Sequence, residues 1–259
     1  MTIKAVLWDV DGTLAETERD GHRVAFNLAF EEFRLPWRWS VERYGQLLAV
    51  TGGRERLYHD LRERGDMGML PGERDLLVRN LHVRKNEIYA NLVSHGEIPL
   101  RQGVLHLMEE CRSKGVRMAI TTTTSRSNVS ALLAKHLGAK WETWFSSIVC
   151  GEDVTGKKPD PEVFKRALDE LGIGPLEAVA IEDSPGGVAA ARAADIPVVV
   201  TRSAYFMNAG IEGAIAIGPG LDQREGWRPI ASDDILGRFV GLDDLTHWRE
   251  RMEYTSHFG

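Results

Sequence analysis

Asp9 and Asp11 stand two residues apart in Trp8-Asp9-Val10-Asp11-Gly12-Thr13, at the end of the first apolar run of the chain. Carboxylates that close repel one another unless a divalent cation sits between them or one keeps its proton. By spacing alone, an ordinary Asp-Gly turn after a strand explains them as well. The full spelling D-x-D-G-T is narrower, arising by chance in about a few per thousand chains of this length. Further along, Glu182-Asp183 adds a second acidic pair, Lys158 stands before Pro159, and Thr121-Thr122-Thr123-Thr124 forms a hydroxyl run. Four carboxylates (Asp9, Asp11, Glu182, Asp183) meeting at one rim favour Mg²⁺ over a softer metal. Lys158 could offset the remaining charge there. The hydroxyls and N–H groups of Thr122 and Thr123, at a helix start, suit an anion such as phosphate. Singly, each has a plainer reading: a lysine before proline is usually solvated surface, and a threonine run is usually strand or N-cap. Together they are the parts of a phosphoryl-transfer site, where positioning and charge neutralisation carry most of the catalysis.

The elements that would position these groups follow a simple grammar. Ala5, Val6, Leu7 and Trp8 read as a short buried strand, ended by the tight loop at Gly12. Beyond residue 103, helical stretches (104–113, 127–137, 161–171, 187–194) alternate with short apolar runs (115–120, 147–150, 178–181, 196–200). Such alternation predicts parallel strands joined by crossovers, hence an α/β fold built on a doubly wound parallel sheet. Ligands of such sheets sit beyond the carboxyl ends of the strands, where every polar cluster named above falls. Residues 16–95 carry a helical pattern instead. They are expected to form an all-helical cap inserted after the first strand, with 1–15 and 96–259 making the core and linkers near 14–17 and 96–103. In this insertion Phe26, Phe30 and Phe33 predict one buried helix face, closed by Pro36. A helix over 41–50, the loop Thr51-Gly52-Gly53-Arg54, a Gly-rich stretch over 65–72 and a helix carrying Arg84 and Lys85 follow. After Phe206 the pattern fades into loops and a last helix over 243–254, with Trp248 packing inward.

A chain of 259 residues can bury a full core without staples. Its net charge of −6 is spread out with no basic run, which argues against nucleic acid. Cys111 and Cys150 make no metal spacing and fit reduced thiols, although one disulfide is compatible with the sequence. No signal-peptide pattern precedes the first strand, and no apolar run approaches the roughly 20 residues of a membrane span. A cytoplasmic protein with no membrane partner is the expectation. The oligomeric state is not encoded in any pattern, and a monomer is the working expectation.

On these residues the chain resembles the haloacid dehalogenase superfamily of phosphohydrolases and phosphomutases. Asp9-x-Asp11-Gly12-Thr13, Thr122, Lys158 before Pro159, and Glu182-Asp183 match its four motifs in order and spacing, over about residues 1–16 and 96–205. The resemblance implies that Asp9 attacks phosphorus to form an aspartyl-phosphate. It implies that Asp11 protonates the leaving oxygen and then activates water. Thr122 and Lys158 would hold phosphoryl oxygens, and Asp9, the Asp11 carbonyl, Glu182 and Asp183 would bind Mg²⁺. Asp11 argues against the dehalogenases, which lack the second aspartate. Arg54 argues against phosphonoacetaldehyde hydrolases, which carry a Schiff-base lysine in this region.

The position of the helical insertion resembles the subgroup of β-phosphoglucomutases and CbbY-type phosphatases. Thr51-Gly52-Gly53-Arg54-Glu55-Arg56 and Arg84-Lys85-Asn86 resemble its cap segments, which grip the distal end of a sugar phosphate. Arg54 and Lys85 above a core phosphate site suit a substrate charged at both ends, and each is equally consistent with an exposed helix-start charge. Glu16-Thr17-Glu18 and Asp20-Gly21-His22-Arg23 resemble the CbbY-type xylulose-1,5-bisphosphate phosphatases. Glu18 and His22 would bind substrate hydroxyls, or else form an i,i+4 surface pair. Gly52, Gly53 and Thr123 complete the expected substrate contacts. The leading expectation is a Mg²⁺-dependent phosphatase of a small sugar bisphosphate, xylulose-1,5-bisphosphate first. A β-phosphoglucomutase-like phosphomutase and a non-catalytic sugar-phosphate sensor are the alternatives.

Overall fold

The computed structural model describes residues 2–96, 98–231 and 237–256. Strand β1 (Ala5–Trp8) is wholly buried because it lies in the middle of a parallel sheet with neighbours on both sides. Those neighbours are β2 (Arg117–Thr121) and β4 (Ala178–Glu182). Outward from them lie β3 (Ser147–Val149) on one side, and β5 (Val198–Thr201) and β6 (Ala216–Gly218) on the other. The order β3-β2-β1-β4-β5-β6 is that of a doubly wound sheet. Strand alternation splits β1 between two apolar layers: Val6 and Trp8 face one, Ala5 and Leu7 the other.

The first layer takes α5 (Val104–Ser113), α6 (Arg126–Leu137) and α9 (Leu242–Ser256). The second takes α7 (Glu162–Leu171) and α8 (Pro185–Ala193). Between β1 and α5 the chain is helical, as the pattern predicts. It runs through a π-helical turn over Thr17–His22, α1 (Arg23–Glu32), α2 (Val41–Leu47), α3 (Gly53–Glu63) and α4 (Pro71–Ser94). An aromatic cluster holds these helices together. Phe26 packs 4.7 Å from Trp39, and Phe30 lies 5.0 Å from Trp39 and 5.4 Å from Trp37.

Several expectations need correction. Phe33 is not part of the buried face: it is the C-cap of α1 and 36% exposed, because the helix ends at Glu32 rather than running on to Pro36. Arg34 adopts a left-handed backbone, turning the chain back before Pro36 is reached. Helix α2 stops at Leu47, short of 50. Strand β6 carries only Ala216, Ile217 and Gly218, too short a run to stand out in the sequence. The tail it begins is packed: Trp227 stacks on Trp248 at 4.6 Å, and Trp248 is buried as expected. Part of the second linker, Glu97, lies outside the described residues.

Candidate active site

Register puts the chemistry on one rim. Trp8 is level with Ile120 on β2 and with Ile181 on β4, so Asp9, Thr121 and Glu182 emerge side by side at the carboxyl ends. Asp9, Glu182 and Asp183 are buried, and one carboxylate oxygen of each lies within 4.8 Å of the others. Lys158 reaches this cluster from the loop before α7. Its Nζ donates to Asp9 Oδ1 at 2.7 Å, Glu182 Oε1 at 2.6 Å and the Thr121 carbonyl at 2.8 Å. Burial pushes the Asp9 carboxyl up against the pull of Lys158, and pushes Glu182 up to about 8. Asp183 is raised well above the usual range by burial and by the charge of Asp9. Lys158 is held charged, its own burial outweighed by Asp9 and Glu182. Acids driven upward by desolvation and mutual repulsion are short of positive charge. Glu182 Oε2, buried with no hydrogen-bond partner among the described residues, marks where that charge is missing. Hard carboxylate oxygens in this cluster fit a small divalent cation.

Asp11 is treated differently. Its Oδ1 accepts from Thr17 Oγ1 at 2.6 Å and faces His22 Nε2 at 3.0 Å. Burial would raise this carboxyl, but His22 and Thr17 outweigh it and hold Asp11 well below the usual carboxylate range. The adjoining Gly12 has φ +86°, and a Cβ there would come 2.0 Å from Asp183 Oδ2. Only glycine allows the loop to press against that carboxylate. The other ring nitrogen of His22 meets Lys85 Nζ at 2.9 Å, under the rings of Phe26 and Tyr89. Burial lowers the Lys85 ammonium to about 8.

Opposite the rim, a cavity of about 410 Å³ opens between the helical segment and the sheet end. Asp11, Thr123 and Lys157 line its sheet side, and Glu18, Arg54, Lys85 and His82 its helical side. Besides the bonds of Thr17 and His22 to Asp11, Thr51 Oγ1 donates to the Lys158 carbonyl at 3.0 Å and Lys157 pairs with Glu55 at 3.0 Å, tying the walls together.

A model of the haloacid dehalogenase-like hydrolases matches residues 3–195. The chain belongs to this family. Among its curated relatives is CbbY from Rhodobacter capsulatus, 43% identical over 205 residues, which are 79% of this chain and 88% of the relative. Plasmid-borne CbbY from Cupriavidus necator is 41% identical over 246 residues, 95% and 96% of the two chains. A crystal structure of CbbY from Rhodobacter sphaeroides, an Asp-to-Asn mutant in complex with xylulose-1,5-bisphosphate, shares 38% identity at a TM-score of 0.75. That likeness covers 82% of this chain and 92% of the other. The chain is thus a CbbY-like phosphatase, a hydrolase of phosphoric monoesters.

Against this family background, the sequence-predicted residues sort unevenly. Asp9, Lys158, Glu182 and Asp183 come together at the rim, with Asp11 beside them. Thr122 is buried next to them, its Oγ1 accepting from the Thr124 N–H at 3.2 Å, while Thr123 faces the cavity. Gly52, Gly53 and Arg54 line the cavity from the start of α3. Glu18 and His22 do not form a surface pair. The π-helical turn points both inward, His22 to Asp11 and Glu18 to Arg56 and Tyr44. Lys85 is not an exposed helix-start charge, since it lies in the middle of α4 and is 3% exposed. Arg84, one residue away, turns outward to Glu32 and Glu87 and takes no part.

Sequence reasoning passed over Thr17, Tyr44, Arg56 and His82. Arg56 is buried, donates to both Glu18 oxygens and to Tyr44, and anchors α3 to the Val50 carbonyl at 3.0 Å. Its signal was its place in the stretch 51–56 that resembles the cap segments, two residues after Arg54, which puts it on another side of the same helix. His82 backs Gly53, and burial lowers it to about 4. It stays neutral beside the cations Arg54 and Lys85.

Proposed function

We propose that this phosphatase is Mg²⁺-dependent and acts on a small sugar bisphosphate, xylulose-1,5-bisphosphate, through an aspartyl-phosphate on Asp9. One observation carries the reading: a cavity lined by Asp9, Lys158 and Asp183 adjoins a second one lined by the cations Arg54 and Lys85, the two sharing Asp11, Glu18, Arg56 and Thr123 in their walls. A substrate with phosphate at both ends suits two such adjoining cavities. The likeness to CbbY bound to xylulose-1,5-bisphosphate supports that choice of sugar.

Asp9, the Asp11 carbonyl, Glu182 and Asp183 would hold the Mg²⁺, which supplies charge neutralisation for the phosphoryl oxygens. In the first step an Asp9 carboxylate oxygen bonds to phosphorus as the ester P–O bond breaks. Lys158, already 2.7 Å from Asp9, keeps that carboxylate aligned and shares the developing charge. The leaving oxygen takes a proton from Asp11, which must first be protonated. His22, 3.0 Å away and linked onward to Lys85, is the neighbour that can deliver it. In the second step Asp11 is an anion, the state its surroundings favour, and removes a proton from water as that water opens the aspartyl-phosphate. Thr123 and the loop N–H groups flank the phosphoryl group, and Glu18, Gly52 and Gly53 lie where sugar hydroxyls would pass.

The test is phosphate release with Mg²⁺ from xylulose-1,5-bisphosphate, ribulose-1,5-bisphosphate, fructose-1,6-bisphosphate and β-glucose 1-phosphate. A kcat/KM for the first well above the others supports the reading. Equal rates on all four would overturn the substrate assignment, and phosphate moved between glucose positions without release would point to a mutase.

A further inference from the structure

Arg101 sits in the second linker, outside every motif considered above, yet its side chain is 14% exposed and heavily engaged. Nη1 donates to the Gly12 carbonyl, to the Thr201 carbonyl at 3.3 Å and to Thr201 Oγ1 at 3.1 Å. Nη2 donates to the Arg202 carbonyl at 2.7 Å and the Pro219 carbonyl at 3.2 Å. Glu16 Oε1 lies 3.8 Å from Nε, and the Arg101 backbone N–H donates to the Leu14 carbonyl at 2.8 Å. One planar fork therefore gathers the catalytic loop, the end of β5, the tail after β6 and the first linker.

The tail holds its end of this junction firmly. Gly103 has φ +85°, and a Cβ there would lie 2.3 Å from the Leu221 carbonyl carbon, so tail backbone presses directly on the linker. Trp227 Nε1 donates to the Gly220 and Gln223 carbonyls while its ring stacks on Trp248. The region after Phe206, which the sequence left without a role, is thus wired to the site through Pro219.

We propose that Arg101 is a positioning residue: from the linker it fixes the Gly12 carbonyl, and through that peptide the placement of Asp11 and Asp183. The inference rests on the reading of Asp9 and Asp11 as the reacting groups. Gly12 is wedged against Asp183, so a shift of its peptide displaces the acids on both sides. Misplacements of about 1 Å cost roughly 10²-fold in rate when geometry controls the chemistry.

The test compares Arg101→Lys and Arg101→Ala with the unaltered protein, using p-nitrophenyl phosphate with Mg²⁺ well below each melting temperature. The expected result is a fall in kcat of about 10- to 100-fold for both variants, with KM changed less than about threefold. Lysine should not rescue, because one ammonium cannot span these carbonyls. Millimolar guanidinium should restore part of the kcat of Arg101→Ala and none of that of Arg101→Lys. A lower melting temperature with unchanged kcat in the folded variants would make Arg101 merely structural and overturn the proposal. If both variants fail to fold, Thr201→Val, which removes one acceptor of the fork, must lower kcat measurably or the proposal fails. Asp9→Asn serves as control. If it is inactive while the Arg101 variants keep full kcat, this inference alone falls; if it keeps full activity, the reading of the site falls with it.

Discussion

Two walls, the sheet end and the helical segment, meet at a pair of adjoining cavities, and they are built by different physics. The sheet wall is set by backbone register. Once β1, β2 and β4 pair in parallel with Trp8, Ile120 and Ile181 level, Asp9 and Glu182 have little choice of place. The helical wall is set by side-chain packing. Glu18, Arg54, Arg56, His82 and Lys85 come from a π-helical turn and two helices, oriented by the Phe26, Phe30 and Trp39 cluster. The sheet wall concentrates negative charge awaiting a cation, and the helical wall gathers cations: Lys85 buried, Arg56 buried and paired with Glu18, and Arg54 exposed at the start of α3. A bisphosphate with its metal would satisfy both. The contrast predicts that changes on the sheet wall strike the chemical step, while changes on the helical wall trade stability against substrate affinity.

The largest effect is expected at Asp9, the proposed nucleophile. Asp9→Asn keeps the shape of the rim but removes the attacking oxygen anion, and should lower kcat by about 10⁴-fold or more. Steady-state phosphate release measures this, and trapping of labelled phosphate on the unaltered protein, absent in the variant, locates the intermediate. Activity near the unaltered level would end the assignment of the sheet wall. Asp11→Asn should cost less, about 10²- to 10⁴-fold, because it removes general acid–base assistance and leaves the nucleophile in place.

On the helical wall, Arg56→Ala should act on stability first. It strands Glu18, whose side chain is 15% exposed at the cavity wall, without its counter-ion; full burial would make that loss about 3–5 kcal/mol, and partial exposure brings it to about 1–3 kcal/mol. Denaturant unfolding measures the loss. The double variant Glu18→Gln, Arg56→Met should regain much of that stability, since neither leftover group is charged. If Glu18 also binds substrate, the double variant still shows a raised KM. Recovery of both stability and KM would reduce the Glu18–Arg56 pair to scaffolding and break the comparison.

The two walls also differ in how far they were legible in the sequence. Strand ends, acidic pairs and Lys158 could be read because a short apolar run followed by a polar cluster is a local pattern, and parallel pairing turns local patterns into one rim. Helical periodicity likewise gave α4 and the buried Phe26 and Phe30. It did not give the partners. That Glu18 meets Arg56 rather than His22 depends on a π-helical turn at Thr17–His22 and on α3 crossing nearby, neither of which is a property of residues four apart. Phe33 misled for a related reason: its spacing is right, but the helix ends one residue before it. The tail was unreadable because β6 is three residues long and its anchors, Trp227 and Trp248, lie far apart in a sequence with no period to link them. Arg101 was silent because its partners are backbone carbonyls, which leave no trace in residue type.

The smallest effect is also the sharpest test of the contrast. Lys85 titrates near 10.5 in an unfolded chain but at about 8 in the fold, with burial as the main cause. Between those values the unfolded chain binds more protons than the native state, so stability rises with pH through that window. Below pH 8 the full penalty of a buried ammonium is present, on the order of 3 kcal/mol at most, since each tenfold loss of proton affinity is worth about 1.4 kcal/mol. Lys85→Met, similar in length and apolar, should therefore raise the melting temperature at neutral pH, and the gain should vanish as the pH passes 10. The same change should weaken binding of a bisphosphate more than of a monophosphate. In the unaltered protein, KM for the bisphosphate should climb above pH 8 as the ammonium loses its proton, and in the variant it should start high and stay flat. A destabilised Lys85→Met protein would mean that the bond to His22 and the contacts with Phe26 and Tyr89 outweigh desolvation. In that case the helical wall would be a preformed and contented structure, and the idea that it waits for substrate charge would have to be given up.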